Sequence, residues 1–162
     1  MTQAQQQATQ PHHPLPGEGV EFPAGYVPTE KETYMNEKQL AYFKGLLLDW
    51  RQQLEKELAE TLEELQASST SADLNDTATN EYEQEVELRT RDRERKLIMK
   101  IDEALGRIEN NQNPDYDGDD LFGYCEETGD PIGIPRLLAR PIATLSIEAK
   151  RVQEKQEKGY AG

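Results

Sequence analysis

The stretch LAYFKGLLLDWRQQLEKELAETLEEL, from Leu40 to Leu65, decides the fold of this chain. Its large apolar residues recur at spacings of three and four, which is typical of one face of an amphipathic helix. They are Leu40, Phe43, Leu47, Trp50, Leu54, Leu58, Leu62 and Leu65. Asn36 is the predicted N-cap, with Gln39 three residues later as in a capping box. Because no Gly or Pro interrupts residues 46–72, we predict one helix of about 45–50 Å.

A second helical stretch follows a polar turn. The turn is SSTSADLND, Ser68–Asp76, and the helix is predicted from Thr77 to about Asn110. Its apolar residues are Ala78, Tyr82, Val86, Leu97, Ile101, Ala104, Leu105 and Ile108. Two helices of similar length joined by a short turn predict a long antiparallel coiled-coil hairpin over residues 34–109, with its tip at 68–78. The segment RTRDRERK (89–96) has no apolar residue, so it forms a polar interface, faces another molecule or is a solvated charged face.

The two ends of the chain have a different composition from this hairpin. Residues 1–33 are rich in Gln, Pro, Gly and Thr, which predicts a disordered or extended arm that packs on a globular end near residue 34. Residues 110–120 are a predicted loop. Residues 121–162 are predicted as a small globular end with a short β-hairpin and a C-terminal helix, capped by Thr144 or Ser146 and reaching about Lys158. Pro135 and Pro141 are expected to break any helix that runs through this region. The predicted fold class is mostly α.

Composition and charge exclude several classes of function. The chain has 162 residues, 35% hydrophobic and 31% charged, with a formal net charge of −14. This acidity disfavours general binding to DNA, RNA or anionic membranes, because it repels phosphate groups. The first 30 residues contain no continuous apolar run, and no segment has the roughly 20 apolar residues of a membrane span. We expect a cytoplasmic protein.

Residues with catalytic or metal-binding potential are few. There is no Gly-rich phosphate loop, and both histidines, His12 and His13, lie in the N-terminal arm. The segment FGYCEETGDPIG, 122–133, has the shape of half a zinc knuckle, but Cys125 is the single cysteine of the chain. Because a structural zinc site takes four Cys or His ligands, we expect no zinc and regard Cys125 as a small, partly buried apolar residue. We expect no enzymatic activity.

Two groups of charged residues remain as candidate sites. Asp73 and Asp76 lie on the predicted turn, where an aspartate is also an ordinary helix cap. Basic residues concentrate near the C-terminus, and with Lys100 they would suit a multiply charged anion such as a nucleotide polyphosphate. They are Arg136, Arg140, Lys150 and Arg151. The alternative, scattered surface cations, stays open at this level.

Three blocks of sequence resemble the DksA family of bacterial RNA polymerase-binding transcription factors, over about Tyr34 to Lys150. They are YMNEKQLAYF (34–43), DLNDTATNEYEQEVELRTRDRERKLIMKI (73–101) and FGYCEETGDPIGIPRLLARP (122–141). The usual member has two C-x-x-C pairs around zinc, and the matching positions are Cys125, Thr128, Ser146 and Ala149. The chain therefore resembles a cysteine-poor variant with a degenerate zinc finger. The loop at 110–120 is longer than in the usual member.

The resemblance implies a regulator that inserts its coiled coil in the secondary channel of RNA polymerase and potentiates ppGpp, the effector of the stringent response, without binding DNA. It implies three sets of site residues. The tip residues acting near the polymerase active site are Asp73, Asp76 and Ala78; the contact with the channel rim is Arg93; the ppGpp-binding residues are Leu97, Lys100, Arg140 and Lys150. A monomer is expected. Two alternatives stay open: a Gre-like cleavage factor, with Mg²⁺ held by the tip carboxylates, and a structural coiled-coil adaptor.

Overall fold

The computed structural model describes residues 25–71 and 77–161 of the chain. Its elements are four helices: α1 (Glu37–Ser71), α2 (Thr77–Gln112), α3 (Ile134–Ala139) and α4 (Ile147–Ala161). The described residues divide into two compact units. The terminal unit contains residues 25–49 and 103–161, and the central unit contains 50–71 and 77–102. The predicted mostly α fold class is confirmed.

Helix α1 begins where the sequence predicts it. The Asn36 side chain accepts a hydrogen bond from the backbone N–H of Gln39 (2.8 Å), which satisfies one of the free donors of the first turn. The Gln39 side chain reaches back and accepts a hydrogen bond from the Met35 N–H (2.7 Å). It also donates to the carbonyl of Thr29 (3.3 Å). This reciprocal cap therefore ties the chain before α1 to the first turn of the helix.

In the central unit, α1 and α2 run antiparallel. The Arg51 guanidinium near the start of this unit bonds to the Asp102 carboxylate at its end (Nε–Oδ1 2.7 Å). Further along α1, the Glu57 carboxylate lies close enough to Glu94 of α2 to affect its pKa. Later residues of α1 therefore lie opposite earlier residues of α2, which is the antiparallel arrangement predicted for a hairpin.

The apolar stripe of α1 becomes more exposed along the helix. Leu40, Phe43, Leu47 and Leu54 are buried. Trp50, Leu58 and Leu65 are half-buried, and Leu62 is 42% exposed. The apolar residues of α1 do share one face of the helix, but those in its second half have few apolar residues of α2 to pack against.

Helix α2 differs from its predicted interface at two residues. The prediction that Tyr82 and Val86 pack between the helices is wrong, because they are 68% and 43% exposed. Ile101 and Ala104 are buried and fix the inner face of the helix. Continued towards the N-terminus at spacings of three and four, that face contains the half-buried residues Glu94, Arg91 and Glu87. These three residues form the polar seam, as one of the sequence alternatives for this segment proposed.

The terminal unit has a continuous apolar core. Its fully buried large side chains include Phe43, Phe122, Leu47, Ile108 and Leu137, and the Phe43 and Phe122 rings pack with centroids 5.4 Å apart. Residues before α1 contribute to this unit. Tyr26 packs edge-on against Tyr42, and the Tyr34 hydroxyl donates to the carbonyl of Gly123 and accepts from the N–H of Gly133.

The predicted β-hairpin is reduced to one antiparallel bridge, between Tyr124 and Pro131. Hydrogen bonds from the Cys125 N–H to the Asp130 carbonyl (2.7 Å) and from the Ile132 N–H to the Gly123 carbonyl (2.8 Å) hold the turn. The sequence did not predict the short helix that lies here, which ends before Pro141. Helix α3 forms with Pro135 in its first turn, where the missing N–H of proline costs no helical hydrogen bond.

Helix α4 confirms one of two predicted caps. The Ser146 side chain accepts a hydrogen bond from the Ala149 N–H (3.2 Å), and the helix then continues to Ala161, three residues beyond the predicted end at Lys158. Within the described residues, no helix is both long and apolar enough to cross a membrane.

Candidate functional site

Of the predicted tip at 68–78, residues 72–76 lie in the gap between the described ranges; residues 68–71, predicted as turn, are the end of α1, and residues 77–78 begin α2. Asp73 and Asp76 are outside the described residues, and Ala78 is in the first turn of α2. The roles of the two carboxylates therefore stay predictions.

The exposed face of α2 is basic. Arg89, Arg93, Lys96 and Lys100 are separated by four, three and four residues, so they share one side of the helix, and all four are exposed. Arg89 pairs with Glu85 one turn earlier (2.8 Å), whereas Arg93, Lys96 and Lys100 form no ion pair with any described residue. These four residues are the basic face of α2. Leu97, predicted as a ppGpp contact, is half-buried beside it.

Glu94 is a member of the polar seam with an unsatisfied oxygen. Its Oε2 atom is shielded from solvent and has no hydrogen-bond partner among the described residues. Burial and the carboxylate of Glu57 raise the pKa of Glu94, and Arg91 opposes this effect. A buried acceptor without a donor destabilises the folded state. The sequence carries a signal for this residue, since Glu94 is one heptad before the buried Ile101.

The terminal unit contains a groove between α3 and α4, here called the α3–α4 groove, with a volume of about 570 Å³. Its lining includes Glu30, Pro135, Arg136, Ala139, Arg140 and Ile147. Arg136 donates through Nε to the carbonyl of Leu145 (2.8 Å), which positions its guanidinium. The structure thus brings together two of the predicted basic residues, Arg136 and Arg140, on one surface.

The other predicted anion-binding residues lie elsewhere. Lys150 is half-buried in the first turn of α4 and donates to the Gln153 side chain (3.2 Å). Leu97 and Lys100 belong to the central unit, and Arg140 and Lys150 to the terminal unit. Each of the four residues is therefore placed within its own unit, and their joint role in binding one ligand stays a prediction.

Cys125 is the centre of a polar network at the degenerate zinc finger. The residue is only 3% exposed. Burial by itself raises the pKa of its thiol, but a hydrogen bond from the Thr128 side chain and N–H groups of Ser146, Thr128 and Glu127 lower it, from 9.0 to about 7. Donors aimed at the sulfur stabilise the thiolate. Cys125 is therefore buried, as a small apolar residue would be, but its sulfur also accepts hydrogen bonds, which the sequence analysis did not predict.

The residues at the four positions that the resemblance assigns to zinc ligands do not fit a zinc ion. Ala149 has no donor atom. The Ser146 hydroxyl caps α4, and Thr128 is exposed, with a hydroxyl that accepts a hydrogen bond from the Asp130 N–H (3.3 Å). Structural zinc requires four thiolate or imidazole ligands. Over residues 25–71 and 77–161, no group of three or more His, Cys, Asp or Glu residues is arranged to hold a metal.

Hydrogen bonds connect the two segments that zinc would join. The Glu126 N–H donates to the Thr144 carbonyl (2.9 Å), the Thr144 hydroxyl donates to the Glu126 carboxylate (3.3 Å), and the Ser146 N–H bonds to the Cys125 sulfur. The buried side chains of Phe122, Ile142 and Leu145 pack in the same unit. This unit is therefore held together by packing and hydrogen bonds.

Comparison with known protein families identifies both halves of the chain. Residues 39–108 match the family described as DnaK suppressor protein DksA, N-terminal domain. Residues 121–155 match the prokaryotic dksA/traR C4-type zinc finger. This chain has a single cysteine, Cys125, so it cannot supply the four cysteines of a C4-type finger.

Individual relatives agree with these matches. The chain is 49% identical to the RNA polymerase-binding transcription factor DksA of Caulobacter vibrioides, over 82% of this chain and 88% of the relative. It is 46% identical to the protein of that name from Escherichia coli, over 81% and 82%. The solved structure of transcription factor DksA2 from Pseudomonas aeruginosa aligns with a TM-score of 0.69 and 44% identity, covering 77% of this chain and 90% of that one. The resemblance inferred from sequence is confirmed: this chain belongs to the DksA family.

Proposed function

We propose that this chain binds bacterial RNA polymerase and regulates transcription initiation, without binding DNA and without catalysing a reaction. The observation that carries the proposal is the 49% identity, over 82% of this chain, with a relative named as an RNA polymerase-binding transcription factor. The net charge of −14 supports the absence of DNA binding. We further propose that the protein acts as a monomer in the cytoplasm.

In this proposal the α1–α2 hairpin inserts in the secondary channel of the polymerase. Asp73, Asp76 and Ala78 act near the active site, and Arg93 contacts the channel rim. Two features of the central unit support this assignment. Its basic face has three cations with no ion pair among the described residues, and its helices are paired through a polar seam that leaves Tyr82 and Val86 exposed. Such surfaces are suited to a protein partner.

We also propose that ppGpp binds at the interface with polymerase, through Leu97, Lys100, Arg140 and Lys150. Lys100 and Arg140 are exposed and form no ion pair with a described residue. Their charges are therefore available for phosphate oxygens, and charge-assisted contacts of this kind are the strong ones. Zinc has no role in this proposal.

The tip assignment is tested by Asp76→Asn, with Asp92→Asn on an exposed part of α2 as the matched control. We expect Asp76→Asn to bind polymerase and to lose regulation of a stable-RNA promoter in vitro, because the change removes one charge at the point of action. The control should regulate normally. Regulation retained by Asp76→Asn would refute the tip mechanism.

A transcript-cleavage assay and the polymerase-binding assay separate the proposal from its alternatives. Release of short RNA 3′ fragments from backtracked complexes would instead indicate a Gre-like factor. Failure of the purified chain to bind polymerase at all would indicate a structural adaptor.

The ppGpp assignment is tested by Lys100→Ala and Lys150→Ala, with Lys155→Ala, exposed on α4, as the control. A charged hydrogen bond contributes about 1.5–3 kcal/mol, so each variant should need about ten-fold more ppGpp, or above, for half-maximal effect. Basal regulation without ppGpp should persist. Unchanged ppGpp dependence in both variants would remove these residues from the site.

A further inference from the structure

The Tyr34 hydroxyl joins the segment before α1 to both ends of the turn at 123–133. It donates a hydrogen bond to the Gly123 carbonyl and accepts one from the Gly133 N–H (3.0 Å). Burial raises the pKa of Tyr34, so the hydroxyl keeps its proton at neutral pH and is able to donate and accept at once. One side chain therefore holds the two ends of this turn together.

The backbone around this contact allows Tyr34 to approach closely. Gly123 has φ of +91°, which favours glycine, and a Cβ atom there would lie 2.9 Å from the Met35 side chain and 3.2 Å from the Tyr34 hydroxyl. Met35 has φ of 53°, which is uncommon for a residue with a side chain. Its N–H donates to the Gln39 side chain in the cap of α1 (2.7 Å). The position of Tyr34 is therefore fixed from two sides, by the start of α1 and by the Gly123 backbone.

Gly133 connects this contact to α3. It is the N-cap residue of that helix, and no side chain caps it. Its carbonyl accepts a hydrogen bond from the Leu137 N–H (3.1 Å). Helix α3 has six residues, too few to be stable without tertiary contacts. The buried side chains of Ile134 and Leu137 anchor one face of the helix, whereas Tyr34 holds the backbone at the point where the helix begins.

Helix α3 carries the two cations of the α3–α4 groove. Arg136 donates through Nε to the Leu145 carbonyl (2.8 Å). Arg140 is the C-cap residue, and its N–H donates to the Arg136 carbonyl (2.8 Å). Both arginines line the groove. Because six helical residues span only about 9 Å, a displacement of the backbone at Gly133 is expected to move both guanidinium groups.

We propose that Tyr34 is a positioning residue for Arg136 and Arg140. By fixing the Gly133 peptide it sets the direction of α3, and so the place at which the helix presents both guanidinium groups. The consequence for activity rests on the proposed function, in which Arg140 binds ppGpp: loss of the Tyr34 hydroxyl weakens the response to that nucleotide. Tyr34 acts through the helix and not by contact with the nucleotide.

Amide NMR spectra of the full chain test the positioning without polymerase or ppGpp. Tyr34→Phe keeps the ring that packs edge-on against Tyr124 and removes both hydrogen bonds. The Arg136 Nε–H and Arg140 amide resonances should shift. The Leu137 and Arg140 amide hydrogens should exchange at least about five-fold faster, because α3 opens more easily.

Tyr124→Phe is the matched control, because it removes a hydroxyl from the neighbouring ring that forms no hydrogen bond with a described residue. It should leave the Arg136 Nε–H resonance and the exchange of α3 unchanged. If Tyr34→Phe shifts only Gly123 and Gly133, or if both variants change α3 equally, the Tyr34 hydroxyl does not position the helix and the proposal is overturned.

A transcription assay tests the consequence. Tyr34→Phe should need at least about three-fold more ppGpp for half-maximal effect, because Arg140 is held in place in a smaller fraction of the molecules. Regulation without ppGpp should persist, since the contacts of Tyr34 lie outside the central unit. Ile108→Val, a buried truncation elsewhere in the terminal unit, controls for general destabilisation and should leave the ppGpp requirement unchanged.

The outcomes distinguish this inference from the proposed function. A changed α3 in the NMR spectra with an unchanged ppGpp requirement would refute the consequence for ppGpp. An equal rise in the requirement of Ile108→Val would show that lost stability is the cause, and would refute it as well. Absence of ppGpp dependence in the unaltered protein would instead contradict the proposed function, and the NMR result would then decide the positioning of α3.

Discussion

The terminal and central units are stabilised in different ways. The terminal unit packs large side chains from α1, α2, α3 and the segment around Phe122 into one core. In the central unit, Leu54 and Ile101 are the buried apolar residues among those described, and the middle of the helix pair is the polar seam. Since burial of apolar area is the main source of stability, most of the folding free energy resides in the terminal unit. The central unit instead exposes the basic face of α2.

The largest expected effect is the loss of an aromatic side chain from the terminal unit. Phe122→Ala removes a fully buried ring that packs on Phe43, and such a truncation costs about 3–5 kcal/mol of unfolding free energy. Urea denaturation followed by circular dichroism would measure it. Leu62→Ala in the central unit, where the side chain is partly solvated, should cost about 1 kcal/mol or less. Equal costs at the two positions would refute the comparison of the units.

A smaller effect is expected from Cys125, whose contribution to the free energy of unfolding depends on pH. Its pKa is about 7 in the folded protein, against an ordinary value of 9.0. The folded state therefore favours the thiolate, and this stabilisation is complete above about pH 9 and lost as the pH falls through 7. The free energy of unfolding of the protein, relative to Cys125→Ala, should rise by about 2–3 kcal/mol between pH 6 and pH 9. Denaturation series at both pH values would measure it.

The same samples test the replacement of zinc by packing and hydrogen bonds. A metal chelator should leave the denaturation midpoint of the protein unchanged, because the residues at the ligand positions do not fit the ion. Elemental analysis of protein purified without a histidine tag should give no stoichiometric zinc. A chelator-sensitive midpoint, or a pH dependence equal in the protein and in Cys125→Ala, would contradict this account.

The smallest expected effect is a stabilisation, produced by a substitution in the central unit. Glu94→Gln should raise the free energy of unfolding at pH 7 by about 1 kcal/mol, because it removes a charge from a shielded oxygen without a partner. The pKa of Glu94 is raised above its ordinary 4.5, so its ionised form destabilises the folded protein. This destabilisation disappears as the pH falls through the raised pKa. The advantage of the variant should therefore shrink on acidification.

Glu83→Gln is the matched control for Glu94, since Glu83 is exposed on the same helix. It should change the unfolding free energy by less than about 0.5 kcal/mol. A stabilisation equal to that of Glu94→Gln would show that general charge repulsion, and not the environment of Glu94, is the cause.

The sequence predicts those elements whose signals are local. The periodic apolar residues of α1, its cap at Asn36 and the cap of α4 at Ser146 follow from spacing and from short-range hydrogen bonds. Tyr82 and Val86 were placed wrongly because the charged segment 89–96 breaks the apolar pattern, and only contacts with α1 set the phase of α2. Helix α3 was missed because Pro135 signals a break in general, but is tolerated in a first turn.

In the candidate site, too, the sequence predicts local features but not those that depend on tertiary contacts. The ligand positions Cys125, Thr128, Ser146 and Ala149 follow from the resemblance to the DksA family, and the residue types at these positions already indicate their poor fit to zinc. The hydrogen bonds that lower the pKa of Cys125 come from backbone N–H groups at Glu127, Thr128 and Ser146, which no side-chain pattern reveals. The unsatisfied oxygen of Glu94 likewise depends on which residues of α1 lie opposite.

The polar seam also sets the order in which the protein opens. Amide hydrogens of a segment exchange with solvent at the free energy of its own local unfolding, which is low where few apolar contacts are lost. Exchange should therefore be fastest in the helical segments around Glu57 and Glu94, while amides near Phe43, Ile108 and Leu137 remain protected until global denaturation. Part of this molecule is able to fray and re-form many times during one lifetime of its core.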